Sequence, residues 1–223
     1  MKRWLIAAVV GVLVLVVGLP WLYINVISGD APEPLTLSSP AASTDPNAPV
    51  DGNYEVALGS TVGYRVQEVL FGQDNTAAGR TTDIEGAIQV EGTSVVSGRV
   101  VVDMTTVRSD QDRRDNQFHS RIMETSRFPT ATFEFTDPVD VGSVPAAGTQ
   151  VNKTVRGKLT LHGVTKNVDV DVEGRRSGTQ IQVRGAIPIV FADWDIEDPS
   201  FGPARTEDHG LLEFALAFSQ VRI

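Results

Sequence analysis

Three histidines, three aspartates around an arginine pair, and a serine beside a glycine are the side chains of this 223-residue sequence best suited to chemistry. His119, His162 and His209 lie far apart, and none sits in the H-x-x-x-H or H-E-x-x-H spacing that brings two imidazoles onto one zinc ion. His119 is expected on a helix and His162 in a turn, as surface or packing residues. The run "GSTVG" (residues 59–63) resembles a nucleophile elbow, but that turn needs G-x-S-x-G and here Ser60 directly follows the glycine. In "SDQDRRDNQ" (residues 109–117), Asp110 and Asp112 fit the start of a calcium loop. Arg114 stands at the next ligand position, and no glycine follows it. A solvated loop leading into a helix, with Asp115 as its cap, is the simpler reading. Phosphate-binding glycine loops and paired dinucleotide-binding glycines are absent, and there is no cysteine for thiol chemistry, disulfides or a lipid-modified N-terminus. The residues name no catalytic set, no metal site and no cofactor.

The elements that would carry these residues fall into three zones. Residues 4–24, "WLIAAVVGVLVLVVGLPWLYI", are uncharged and follow Lys2 and Arg3. About 20 apolar residues cross a bilayer core, and basic residues in front favour a cytoplasmic N-terminus. Residues 1–27 are therefore expected to be a single-pass transmembrane anchor or an uncleaved signal, with the rest of the chain extracytoplasmic at the cell membrane. Residues 28–52 hold five prolines and few large apolar side chains, the composition of a disordered spacer. Residues 53–223 form the folded domain. The net charge of −9, without a long basic run, excludes nucleic acid as a natural partner.

In the folded domain, apolar residues alternate with polar ones: Val62, Tyr64 and Val66; Ile84, Ile88 and Val90; Phe133 and Phe135; Leu159 and Leu161; Val168, Val170 and Val172; Leu212, Phe214, Leu216 and Phe218. This period places each apolar set on one face of a strand. Turn clusters such as "FGQDN", "EGTS" and "RRSG" separate the runs. Residues 115–126, "DNQFHSRIMETS", break the pattern: Phe118 and Ile122 at i, i+4 predict a short amphipathic helix limited by Pro129. Many short strands without long helices predict an antiparallel sheet, closed into a barrel or folded as a sandwich.

Several fragments, in order, resemble the YceI family of exported lipid-binding domains. They are "STVGYRV" (60–66), "IEGAIQV" (84–90), the stretch from Val100 to Phe135 with its Arg114-Asp115 pair and "FPTATFEF" (128–135), and "GKLTLHGVTKNVDV" (157–170). The resemblance spans residues 53–221. It implies an all-β, eight-stranded antiparallel lipocalin-like barrel with a short helix, whose dry interior holds a polyisoprenoid or a similar amphiphile. Two departures stand out. The family's His-Ser near the first strand is Gly59-Ser60, and a later basic and aromatic stretch is replaced by the acidic "FADWDIEDPSFGPARTEDHG" (191–210). Its carboxylates Asp193, Asp195, Glu197, Asp198, Glu207 and Asp208, set near a cavity mouth, would disfavour a pyrophosphate head group.

On this reading Tyr64, Val66, Phe118, Ile122, Phe133, Phe135, Leu159, Leu161 and Phe191 are the candidate lipid-lining residues, and Trp194 is expected at the rim. The expected partners are an isoprenoid or other long-chain lipid and the membrane through the N-terminal helix; a homodimer is an allowed assembly. The leading expectation is a membrane-anchored binding protein, not an enzyme. One alternative is a barrel filled by its own side chains and serving as a structural or interaction module. Another is an enzyme using Asp193, Asp195 or His209 at the mouth.

Overall fold

The alternation read in the sequence appears as a ring of hydrogen-bonded strands. In chain order the strands are β1 (Gly52–Val56), β2 (Thr61–Leu70), β3 (Gln73–Thr81), β4 (Ile84–Glu91), β5 (Ser94–Asp103) and β6 (Arg108–Ser109). They continue with β7 (Thr130–Phe135), β8 (Val139–Asp140), β9 (Gln150–Leu161), β10 (Val164–Ser177), β11 (Gln180–Val190), β12 (Ala204–Thr206) and β13 (His209–Gln220). The computed structural model describes residues 11, 12, 14, 31–38, 50–202 and 204–221.

Eight strands close on themselves in the order β1-β4-β5-β7-β9-β10-β11-β13, with β13 returning to β1, and every pairing is antiparallel. The late residues of β13 pair with β1 and its early residues pair with β2, so β1 and β2 are two halves of one strand bent at residues 57–60. β3 and β4 are likewise halves of one strand bent at residues 82–83. Ser60 fixes the first bend. Its hydroxyl donates to the Ala57 carbonyl at 2.8 Å and accepts from the Ala217 amide at 3.0 Å. A buried serine committed to two backbone groups is a staple of the fold, which explains why the elbow-like run carries no exposed nucleophile.

The barrel has two unlike ends. The lower end carries short turns, between β4 and β5 and between β10 and β11, together with the nine-residue connection from β8 to β9. The upper end carries the helical segment and the long connection from β11 to β13. The helix α1 runs from Asp112 to Gln117, three residues ahead of the expected start, and passes into a wider turn over Phe118–Ile122. There the Met123 amide donates to the Phe118 carbonyl, five residues back, at 2.8 Å. Asp115 is not the cap. It is buried in the helix, and its Oδ1 accepts from both the amide and the hydroxyl of Ser109 at 2.7 Å. Its carboxylate thus holds the loop before the helix, a tertiary role that local helix rules do not reveal.

The expected transmembrane anchor, residues 1–27, lies outside the described residues apart from positions 11, 12 and 14. Among the described residues no helix is long and apolar enough to cross a membrane. Of the proline-rich stretch, residues 31–38 run without regular structure against the outer wall of the barrel. The Pro32 carbonyl accepts from Arg65 at 2.6 Å, and the Glu33 carbonyl accepts from Arg80. Both guanidinium groups also hold Glu213, with Arg65 Nε 3.2 Å from Oε2 and Arg80 Nη2 3.2 Å from Oε1. Glu213 is buried on the outward face of β13, so it ties β2, β3 and β13 together beneath the strap. Glu213→Ala leaves two partly buried arginines without their shared acceptor. We expect a loss of about 1–3 kcal/mol, read as a lowered urea midpoint with an unchanged m-value.

Candidate functional site

The inward faces of the ring do not meet in the middle. They enclose a cavity of about 590 Å³ that extends from the upper end toward the lower, within the range of about 300–1,000 Å³ typical of small-ligand sites. A barrel filled solid by its own side chains is therefore not what the sequence builds.

The hollow is shaped by glycines facing aromatic rings. A Cβ on Gly157 would stand 2.4 Å from Phe133 Cζ and 2.7 Å from the Glu134 carbonyl, so only glycine lets the Phe133 ring lie across β9. Gly79 does the same for Tyr64, whose ring a Cβ would meet at 2.4 Å. Phe133 and Phe135 then contact edge to face at 5.8 Å, and Tyr64 stacks on Phe118 at 5.0 Å. Rings held flat against the wall occupy less of the centre than rings pointing inward.

All nine candidate residues, Tyr64, Val66, Phe118, Ile122, Phe133, Phe135, Leu159, Leu161 and Phe191, line this cavity. Five elements bring them there: β2, the wider turn after α1, β7, β9 and the short 3₁₀ turn Phe191–Trp194 supply positions around one continuous surface, and β3 contributes the glycine behind Tyr64. Trp194, expected at the rim, is buried outside the lining, where Lys166 Nζ lies 5.7 Å from its ring centroid. The inward faces of β4, β5, β10, β11 and β13 add further apolar lining, including Ile88, Val100, Val170, Ile187 and Phe214. Their alternation was legible, but nothing in it ranks one apolar position above another.

The charged lining runs against the expectation drawn from the acidic loop. None of the six carboxylates, Asp193, Asp195, Glu197, Asp198, Glu207 or Asp208, lines the cavity. That connection turns Ile196, Pro199 and Phe201 toward the cavity instead. Asp193 pairs with Lys166 at 3.2 Å, and Asp208 accepts from His209 at 2.8 Å. Asp198 accepts from the Ser200 amide, chiefly which holds its carboxyl below the usual range. The bond to Asp208 raises the His209 pKa.

Among the described residues, Glu68 is the one carboxylate of the lining, set against Arg113, Arg114, Lys153, Arg175 and Arg176. Glu68 lies 3.6 Å from Arg114 and accepts from Asn75 at 2.6 Å, while Arg114 also pairs with Asp110. The run that resembled half a calcium loop thus supplies cations to the upper mouth, with Asp110 satisfied by an arginine. Burial, first of all, pushes the Tyr64 phenol well above its ordinary range, so it stays neutral in the apolar wall. The fixed charges of the cavity therefore do not oppose an anionic or polar head group.

The histidines are structural in their contacts. His162 and Gly163 both have positive φ, +49° and +78°, and form the two-residue turn between β9 and β10. His162 Nδ1 donates to the Trp194 carbonyl at 3.1 Å, and its ring meets Phe128 at 4.7 Å, so this turn residue is buried. His119 Nε2 lies 3.0 Å from the Val107 carbonyl. Among the described residues no cluster of three or more His, Cys, Asp or Glu side chains could hold a metal ion.

Comparison with known proteins agrees with this geometry. The profile of the YceI-like domain matches residues 56–218. A UPF0312 protein of Vibrio cholerae is 29% identical over an alignment of 143 residues, with 53% of this chain and 72% of that protein covered. The fold is similar to that of a polyisoprenoid binding domain from Saccharophagus degradans implicated in plant cell wall breakdown. That match has a TM-score of 0.62 and 22% identity, and covers 77% of this chain and 99% of that one. It is also similar to BcnA of Burkholderia cenocepacia, with a TM-score of 0.55, 20% identity, and 73% and 98% of the two chains covered.

Overpacking the glycine position tests how the hollow is held open. Gly157→Ala should cost about 1–3 kcal/mol, because the added methyl meets both a ring and a backbone carbonyl. In a Phe133→Leu background the same substitution should cost less, and chemical denaturation of the four proteins in the cycle measures the difference.

Proposed function

This chain belongs to the YceI-like domain family, and from that premise we propose that its barrel binds an isoprenoid or another long-chain lipid. One observation carries the reading: a cavity of about 590 Å³ whose lining is apolar over most of its surface, inside a single closed ring of strands. An apolar chain gains about 0.8 kcal/mol for each methylene buried, so such a wall needs no polar chemistry to hold it. The solved Saccharophagus degradans relative is described as polyisoprenoid binding, which supports an isoprenoid as the cargo.

The head group would sit at an end of the cavity. The upper mouth offers Arg113, Arg114, Glu68 and Gln117; the lower end offers Lys153, Arg175 and Arg176. Polar or anionic heads fit either set. We read the protein as a binder, not an enzyme, with Tyr64, Phe118, Phe133 and their neighbours touching the lipid chain. One chain encloses the whole cavity, so binding needs no second copy. Residues 4–24 carry the composition of a membrane span, and we place the barrel outside the cytoplasmic membrane, tethered to it.

The test is extraction of the purified full-length chain with organic solvent, with the lipids identified by mass spectrometry and counted per chain. A Phe133→Asp variant, checked by circular dichroism for retained β-sheet, is the control because the carboxylate stands in the middle of the lining. The expected result is close to one isoprenoid or long-chain amphiphile per wild-type chain and its loss in the variant. Equal lipid content in both folded proteins, or none in either, overturns the reading.

A further inference from the structure

The upper mouth of the cavity has an apolar lip that the barrel does not need for its own core. Val69, Phe71 and Phe201 are 40%, 48% and 47% exposed. They belong to one patch: Phe201 bridges to Ala204, Ala204 pairs with Leu70, and Arg205 pairs with Val69. Phe71 and Phe201 also line the cavity, so the exposed patch and the interior share these two rings. Exposed apolar side chains grouped in one patch at the rim of a binding groove are the kind of surface that meets a partner or a membrane. Two arginines frame the patch. Arg113 lies 5.2 Å from the Phe201 ring centroid and Arg205 stands beside Val69, and neither has an ion pair among the described residues. Aromatic rings with guanidinium groups at their margin suit the boundary between acyl chains and head groups.

The strap on the outer wall fixes how far this lip can stand from a bilayer. Pro32 is held at Arg65, on the strand whose far end is the lip. From Ile24, the last residue of the uncharged stretch, to Pro32 the chain can reach at most about 29 Å, at up to about 3.6 Å per residue. From Arg65 to Phe71 along β2 is roughly 20 Å, at about 3.3 Å per residue. The tether is therefore long enough for the upper end to meet the membrane and too short for the barrel to leave it.

We propose that the lip formed by Val69, Phe71 and Phe201 seats in the interfacial zone of the bilayer that carries the chain, so that the cavity opens directly onto lipid. This rests on the reading that the cavity takes lipid and that residues 4–24 span the membrane. The sequence has no cysteine, so single-cysteine variants report local position cleanly. Full-length Phe71→Cys and Phe201→Cys, with Leu58→Cys and Val144→Cys as controls, would carry a polarity-sensitive fluorophore. They are reconstituted in phosphatidylcholine–phosphatidylglycerol vesicles containing lipids with quencher-labelled acyl chains. Leu58 and Val144 are 99% and 44% exposed and stand away from the lip, so apolar exposure alone does not separate the two sets.

The expected result is a blue shift and strong loss of emission at positions 71 and 201, with little change at 58 and 144. Two lip positions are used so that one poorly folded variant does not decide the outcome. Equal quenching at all four positions, absence of quenching at the lip, or failure of the full chain to float with the vesicles overturns the proposal. Lipid counting separates it from the carrier reading. A quenched lip on a chain without cargo leaves the docking in place and removes the carrier; a loaded chain with an unquenched lip does the reverse.

Discussion

The five residues of β1 hydrogen-bond to β13 on one side and to β4 on the other, in the registers Tyr54↔Gln220 and Tyr54↔Ile88. Without that double pairing the sheet would be an open ribbon with two edges, each a row of unpaired backbone groups. Closure satisfies the backbone within the wall. The interior is then free to be apolar and unfilled, because no carbonyl or amide of the ring has to be met from inside. The bend at residues 57–60 lets the same length of chain close the lower ring as β1 and build the upper wall as β2, and Ser60 locks it. The cavity, its two ends and the outward arginine–glutamate cluster follow from that one closed path.

A hollow of this size has a physical consequence for stability. Lining atoms that face empty space lose the contacts a packed core would give them, and a ligand that restores those contacts stabilises the folded state by mass action. The fold offsets the deficit elsewhere. Glycines let aromatic rings lie against the wall, as Gly157 does for Phe133 and Gly79 for Tyr64, so the rings pack on backbone and leave the centre open. Outside, Glu213 and its two arginines fasten β2, β3 and β13 at mid-height. Rigidity comes from the wall and not from its contents.

Much of this was legible in the sequence because strand alternation is a local signal. The β9–β10 hairpin shows it best: residues 156–172 alternate, and their pairing follows the turn at His162 and Gly163. The candidate lining residues fall on the cavity for the same reason. What local signals could not show is which polar residues face inward. Lys153 and Arg176 occupy inward positions of β9 and β10 near the lower end, and a period-two reading treats such residues as interruptions. Asp115 looked like a helix cap because aspartate is common there; its partner, Ser109, draws it into the fold. The loop at 191–208 misled through composition. Its carboxylates are numerous, but the residues it turns inward are Ile196, Pro199 and Phe201.

The difference between the two ends bears on where the cavity could open. The lower end combines tight turns with the nine-residue connection from β8 to β9. That connection is pinned by the Gly148 amide donating to the Arg176 carbonyl at 2.8 Å and the Val141 amide donating to the Thr93 carbonyl at 2.9 Å. The strands flanking the turns stay paired almost to the last residue, as at Ser177↔Gln180 and Glu91↔Ser94. Moving those turns would break ladder hydrogen bonds. The upper end is closed by a six-residue helix, a wider turn and a long connection that makes only a short pairing through β12. Arg121 bridges these parts by donating to the carbonyls of Asp198 and Pro199, at 2.9 and 3.1 Å. Such a contact can open without disturbing the ring, since neither partner belongs to a barrel strand. Free energies of local opening are lowest where few ladder bonds are at stake, so the segment over the upper end can move while the eight strands stay closed.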